Sequence, residues 1–238
     1  SIATADGHVP GYRAMPARPG KHPVVLVVQE IFGGHEHIRD VCRRFAQLGY
    51  LAIAPDLYAR QGDPTQAVDV KTLIGEIVSK VPDAQVMADL DATAAWAAAH
   101  GGNAAKLAIT GFCWGGRIVW MYAAHNPALK AGVAWYGGLV REPTALSPQH
   151  PIDIVDALKA PVLGLYGAAD SGIPNDSVER MQAALQASKN PQANGSAIVL
   201  YPDTPHGFHA DYRPSYREKQ AADGWAQLLA WFRRNGVA

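Results

Sequence analysis

Apolar residues fall into short unbroken runs separated by longer stretches in which they recur every three or four positions, and the two rhythms alternate through most of the chain. The unbroken runs cover 23–28, 50–54, 106–110, 131–136, 160–167 and 196–201. A strand with one wet face would alternate apolar with polar; runs without that alternation suit strands covered on both faces, as in a parallel sheet. Helical periodicity fills the intervals. Residues 37–48 form an amphipathic stretch that ends at Gly49 and takes Cys42 into its apolar side. A helical region is expected from Thr65 to Lys80, and Pro82-Asp83 opens an Ala-rich helix, 84–100, that closes at Gly101-Gly102. A further helix follows Arg117, and the closing one, 214–234, carries Trp225, Leu228, Leu229 and Phe232 as a core-packing stripe. The expected fold is α/β, a mostly parallel sheet with helices on both faces, forming one domain over residues 1–238. Residues 138–159, rich in proline and charge, read as an excursion over the edge of the sheet.

Chemistry gathers where the runs end. The segment Gly111-Phe112-Cys113-Trp114-Gly115-Gly116 lies between a buried strand and a helix, the position of a nucleophile elbow, with a thiol where serine is usual. Gly111 and Gly115 would allow close backbone approach, and the start of a helix beside Cys113 would favour thiolate. The plain alternative is a buried structural cysteine. Two later strand ends raise the stakes. One run ends at Ala168-Ala169-Asp170, and another leads into Pro202-Asp203-Thr204-Pro205-His206-Gly207. An Asp ending a strand is ordinarily a turn residue and a loop histidine is ordinarily solvated. Cys113, Asp170 and His206 nevertheless follow one another in the order nucleophile, acid, histidine of an α/β-hydrolase.

Five segments together resemble the dienelactone hydrolase (carboxymethylenebutenolidase) family: Gln29-Glu30-Ile31-Phe32-Gly33, residues 54–60 (A-P-D-L-Y-A-R), residues 111–116, Trp135-Tyr136-Gly137 and His206-Gly207-Phe208. The resemblance runs from about residue 23 to the final helix. It implies an α/β-hydrolase fold, a hydrolase of a lactone or small carboxylic ester, and a thioester acyl-enzyme on Cys113. Glu30, at the end of the first apolar run, takes the place of a glutamate that helps activate the thiol; a solvated strand-end Glu is the alternative. The backbone N–H groups of Ile31 and Trp114 would receive the oxyanion, and Tyr136 would line the pocket or pack in the core.

One feature departs from the family pattern. Relatives hold the substrate carboxylate with two arginines, one four residues beyond the catalytic histidine and one in the helical stretch after D-L-Y-A-R. Here the first position is Ala210, and residues 61–80 contain no arginine, only Lys71 and Lys80. Arg213 or Arg60 is the candidate cation, with a solvated surface role the alternative for each. Lysine is a poorer bidentate clamp.

Composition narrows the remaining classes. Hydrophobic residues make up 48%, ample for a core, and 21 basic side chains balance 21 acidic ones, which argues against a nucleic-acid partner. No apolar run reaches the length of a membrane span, and no signal-like start precedes the first strand, although a removed export leader would leave no trace. Two cysteines do not make a disulfide framework, and a nucleophilic Cys113 suits a reducing cytoplasm. His35-Glu36-His37 has an H-x-H spacing, but side chains so placed at a helix start are expected to diverge and no third ligand is near, so neither a metal nor any cofactor is expected; no nucleotide motif is present. The expected state is a monomer or small homo-oligomer acting on a small-molecule ester or lactone. The competing classes are a general carboxylesterase and a non-catalytic relative whose Cys113 senses oxidants.

Overall fold

The structure, a computed structural model, describes residues 1–238. Its elements in order are β1 (Ile2–Thr4), β2 (Gly7–Val9), β3 (Gly11–Ala14), β4 (His22–Val28), α1 (Glu36–Gln47), β5 (Leu51–Pro55), α2 (Val70–Glu76), α3 (Asp83–Ala99), β6 (Gly102–Phe112), α4 (Trp114–His125), β7 (Leu129–Trp135), β8 (Val162–Gly167), α5 (Asn175–Ala187), α6 (Pro191–Asn194), β9 (Ala197–Tyr201) and α7 (Glu218–Arg234). β1 and β2 form a separate hairpin; the other seven strands make one sheet in the order β3-β5-β4-β6-β7-β8-β9. β3 runs antiparallel to β5, and every other neighbouring pair is parallel.

Five of the six unbroken apolar runs are the sheet's interior; the sixth, 196–201, becomes the edge strand β9, whose residues are half-buried or exposed because nothing pairs with its outer side. β5 and β8 are buried at every residue, as strands covered on both faces must be. In one helical layer Phe45 of α1 meets Trp225 and Phe232 of α7, with ring centroids 4.8 and 6.1 Å apart. In the other, Tyr122 of α4 donates to Asp91 of α3 at 2.9 Å. The strand order reverses at β4, since the chain passes next to β5 on one side and then to β6 on the other. Open α/β sheets form their crevice at the carboxyl ends of the strands beside such a switch point. β4 and β6 end side by side there, with Val28 opposite Gly111.

Several elements differ from the sequence-based expectation. The helical region 65–80 is broken into a 3₁₀ turn at Pro64–Gln66, the short α2 and a second 3₁₀ turn at Val78–Lys80. Asp63 and Asp69 each accept a backbone N–H, from Thr65 and Thr72, so the segment starts twice instead of running through. The closing helix begins at Glu218 and not at Pro214, because residues 207–217 fold back in turns in which Arg213 N–H donates to Ala210 O and Arg217 N–H to Phe208 O. β1–β3 and α5 lie outside the elements read from the pattern. The excursion after β7 is irregular until a 3₁₀ helix at Pro151–Ala157. The buried Arg117 of α4 anchors it: its guanidinium donates to both Asp83 oxygens at 2.7 Å, to Gln149 O at 2.7 Å and to His150 Nδ1 at 3.1 Å.

Candidate functional site

Cys113 is the single residue between β6 and α4, and it turns that corner with φ 56° and ψ −115°, a left-handed backbone that costs a non-glycine residue energy. Its neighbours hold it there. The Cys113 N–H donates to Trp135 O at 3.0 Å, while Cys113 O accepts from Gly116 N–H at 2.9 Å. A Cβ on Gly111 would meet Gly115 O at 2.4 Å, and one on Gly115 would meet Gln29 O at 2.5 Å. Only glycine permits α4 to start this close to β4, and that proximity sets Cys113 beside the Gln29-Glu30-Ile31 segment. Trp114 is the first residue of α4, so helix geometry leaves its N–H without an intrahelical acceptor. The Ile31 N–H donates to no backbone carbonyl.

The loops after β8 and β9 touch closely, for a Cβ on Gly167 would fall 2.1 Å from Thr204 O. This contact brings Asp170 to His206, with Oδ2 at 2.6 Å from Nδ1. Asp170 is buried, and its Oδ1 accepts from Gly172 N–H at 2.8 Å. Burial alone would lower the basicity of His206; the hydrogen bond to Asp170, with the neighbouring Cys113 sulfur adding to it, overcomes this and raises the imidazole to about 10. Tyr136 closes this side, its ring 5.0 Å from that of His206. It too has a positive φ, 39°, and its buried hydroxyl has no hydrogen-bond partner. Burial, followed by the nearby Glu30 and Cys113, keeps that hydroxyl well above its ordinary ionisation range.

Glu30 is fully buried at the end of β4. Its Oε2 receives Arg213 Nη2 at 3.0 Å, Tyr212 OH at 3.1 Å and His35 Nε2 at 3.1 Å, while Oε1 is buried without a partner. Burial would raise this carboxyl, but the hydrogen bond from His35 and the charge of Arg213 outweigh it and hold Glu30 below the usual carboxylate range. The Arg213 guanidinium lies between aromatic rings, 4.9 Å from the Phe32 centroid and 5.2 Å from that of Tyr212. A groove of about 1000 Å³ opens against these partners, with Phe32, His35, His37, Tyr212 and Arg213 in its walls.

The structure thus brings Cys113, Asp170, His206, Glu30, Ile31, Trp114, Tyr136 and Arg213 to one edge of the sheet. Arg60 is employed elsewhere. Its guanidinium pairs with the buried Asp89 at 2.8 Å and also binds Asp6, so the cation proposed for substrate from the D-L-Y-A-R segment is spent on tying the N-terminal hairpin to α3. The rings of His35 and His37 do not diverge as their spacing implied; they stack, with centroids 6.2 Å apart and planes at 22°. Sequence reasoning missed Tyr212, the role of His35 as a partner of Glu30, and Tyr58, whose buried ring meets Trp114 at 5.3 Å. For Tyr212 the available signal was adjacency to Arg213. His35 offered only its place five residues after Glu30.

The family model described as "Dienelactone hydrolase family" matches residues 9–236. A protein of Methylorubrum extorquens named "Putative carboxymethylenebutenolidase" is 59% identical over 238 residues, covering 100% of this chain and 80% of its own length. A Bradyrhizobium protein named "Probable 2-oxo-3-(5-oxofuran-2-ylidene)propanoate lactonase" is 30% identical, covering 93% of this chain and 88% of its own. A crystal structure from Klebsiella pneumoniae subsp. pneumoniae MGH 78578, described as "Putative Dienelactone Hydrolase", superposes with TM-score 0.93 at 60% identity, covering 98% of this chain and 97% of that one. No helix is long and apolar enough to cross a membrane.

Proposed function

The chain belongs to the dienelactone hydrolase family, whose members hydrolyse lactones and esters, and from that premise we propose that it opens a small carboxylate-bearing lactone through a thioester on Cys113, with His206 and Asp170 completing the triad. The observation that carries this reading is the left-handed turn at Cys113 beside an imidazole held 2.6 Å from a buried carboxylate. Such backbone strain is kept where surrounding structure enforces it, as the tight packing at Gly111 and Gly115 does here.

The thiolate of Cys113 bonds to the lactone carbonyl carbon, and the carbonyl oxygen becomes an oxyanion facing the N–H groups of Ile31 and Trp114. As the ring C–O bond breaks, protonated His206 gives its proton to the departing oxygen. Neutral His206 then takes a proton from water, whose oxygen attacks the thioester carbon. Collapse expels the thiolate and leaves a carboxylic acid. Asp170 fixes the ring tautomer and offsets the imidazolium charge.

Glu30 has a separate task. Its segment lies against the elbow, which suits it to receive the thiol proton and leaves the ring to protonate the departing oxygen. Glu30 is held ionised at the end of the adjacent strand, and its unpartnered Oε1 is a free acceptor. Arg213 supplies the cation for a carboxylate on the substrate, and Tyr136 forms the pocket wall.

The test is hydrolysis of cis- and trans-dienelactone by wild-type and Cys113→Ala protein, with acyl-enzyme trapping followed by mass spectrometry. Thiol-dependent turnover with a mass increase on Cys113 is expected. Turnover indifferent to Cys113→Ala would overturn the assignment of the nucleophile.

A further inference from the structure

Each turnover leaves a proton behind, because ester and water become an alcohol and a carboxylic acid that ionises at neutral pH. That proton arises at the same edge of the sheet as Glu30, a carboxylate sealed from solvent. Of the three groups on Glu30 Oε2, the Arg213 guanidinium does not release protons, and the Tyr212 hydroxyl is pushed above its ordinary range by burial and by Glu30. The third is an imidazole, the side chain suited to passing protons near neutrality.

We propose that His35 is the proton exit of Glu30, joining the buried carboxylate to the solvent-filled groove. This rests on the reading of Glu30 as a proton acceptor. The geometry supports it on both sides of the ring. His35 Nε2 lies 3.1 Å from Glu30 Oε2, whereas Nδ1 makes no hydrogen bond within the chain, and the side chain is 23% exposed in the wall of the groove. The ring is braced edge-on by Phe32 and Tyr212, with centroids 6.4 and 5.4 Å away, and stacked on His37. The charged and titratable groups around it are Glu30, Tyr212 and Arg213 across the crevice, Glu36 and His37 at the start of α1, and Asp211, which lies 3.6 Å from His37.

The transfer needs no co-reactant. Glu30 takes the proton on Oε1, and rotation about χ3, a torsion with a broad two-fold profile, presents it to His35. With Glu30 neutral, groove water exchanges the ring from its Nε2–H to its Nδ1–H form, so that Nε2 can accept this proton; the Nδ1 proton then passes to water in the groove, which leaves Nε2–H donating to Glu30 Oε2 as at the start. His35 acts through Glu30 and touches no reacting atom, so it is a positioning and relay residue.

The experiment compares His35→Asn, which keeps an N–H for Glu30 but cannot relay, with His35→Ala and Glu30→Gln, reading kcat, KM and melting temperature on dienelactone in dilute non-imidazole buffer. Expected for His35→Asn is a fall in kcat on the order of 10² with KM and melting temperature unchanged. Added imidazole should restore turnover in His35→Ala and leave wild type unchanged. Wild-type kcat in both His35 variants, or a lowered kcat that imidazole does not raise, would overturn the relay while Glu30→Gln remains impaired. Full activity in Glu30→Gln would instead overturn the Glu30 reading, and the relay with it.

Discussion

Asp170 Oδ2 and His206 Nδ1 lie 2.6 Å apart, joining a fully buried carboxylate to a ring that reaches the crevice. The pair gives the protein a definite pH signature. His206 is raised from 6.5 to about 10, so it contributes stability that is fully present below about pH 6.5 and is lost as pH rises through about 10. In Asp170→Asn the main raising contact disappears and this alkaline loss becomes shallower. Urea midpoints between pH 6 and 10.5 check the sign; equal slopes in both proteins would refute it. The same variant is expected to lose activity by roughly 10²–10⁴, since the ring loses its tautomer and its counter-charge.

Gly115 is predicted to be intolerant of a single methyl group. Its Cβ would meet two backbone oxygens, Gln29 O at 2.5 Å and Val28 O at 2.6 Å, and neither can move without disturbing β4. Gly115→Ala should cost about 3 kcal/mol, the upper part of the usual overpacking range, and displace the elbow. Differential scanning calorimetry should show a melting temperature lower by roughly 6–12 °C. Gly34→Ala, with no atom within 4 Å of its Cβ, is the matched control.

The strand ends carried most of what could be read from the chain. Cys113, Asp170 and His206 each follow an unbroken apolar run, so the same pattern that predicts the sheet also places them at its carboxyl edge. The Glu30 cluster had no such marker. Tyr212 and Arg213 reach Glu30 across 182 and 183 positions of sequence, from turns that the pattern assigned near the start of the closing helix. Arg60 misled for the opposite reason. A family segment surrounds it, but the partner that claims it, Asp89, sits on α3 among apolar residues that gave no sign of a buried carboxylate. Helix α5 has Val178, Met181 and Leu185 buried at helical spacing, a stripe too sparse to stand out against its polar neighbours.

Arg117 joins the elbow helix to the excursion after β7, and cutting this tie should loosen both. Arg117→Met takes the guanidinium from the half-buried Asp83 carboxylate, which then keeps only Ser147 Oγ, at a cost of about 1–3 kcal/mol. The double variant Arg117→Met/Asp83→Leu removes both charges and should recover much of that loss. Acid acts on the same junction. His150 accepts from Arg117 Nε through Nδ1, and burial together with the Arg117 charge lowers its basicity. Its contribution is therefore present above about pH 6.5 and is lost as pH falls through the lowered value. Limited proteolysis should cut within 138–150 faster at pH 4.5 than at pH 7, and equal rates would contradict the tie.

Arg213 and Arg60 make a controlled comparison, because both are arginines near the segments that resemble the family's carboxylate clamp, yet their surroundings differ. Arg213 faces the groove, held between Phe32 and Tyr212, with Nε and Nη2 engaged and Nη1 without a hydrogen bond. Arg60 spends its guanidinium on Asp89, Asp6 and Thr4. The measurement is the ratio of kcat/KM for an acidic dienelactone to that for its neutral methyl ester. Arg213→Gln should reduce that ratio by on the order of 10-fold to 100-fold, the worth of a charge-assisted hydrogen bond. Arg60→Gln should leave the ratio unchanged while lowering stability, since Asp89 loses its partner in the interior. An acid preference that survives Arg213→Gln would place the substrate carboxylate against another group, and the neutral-ester rate in the same variant separates that outcome from a general loss of Glu30 alignment.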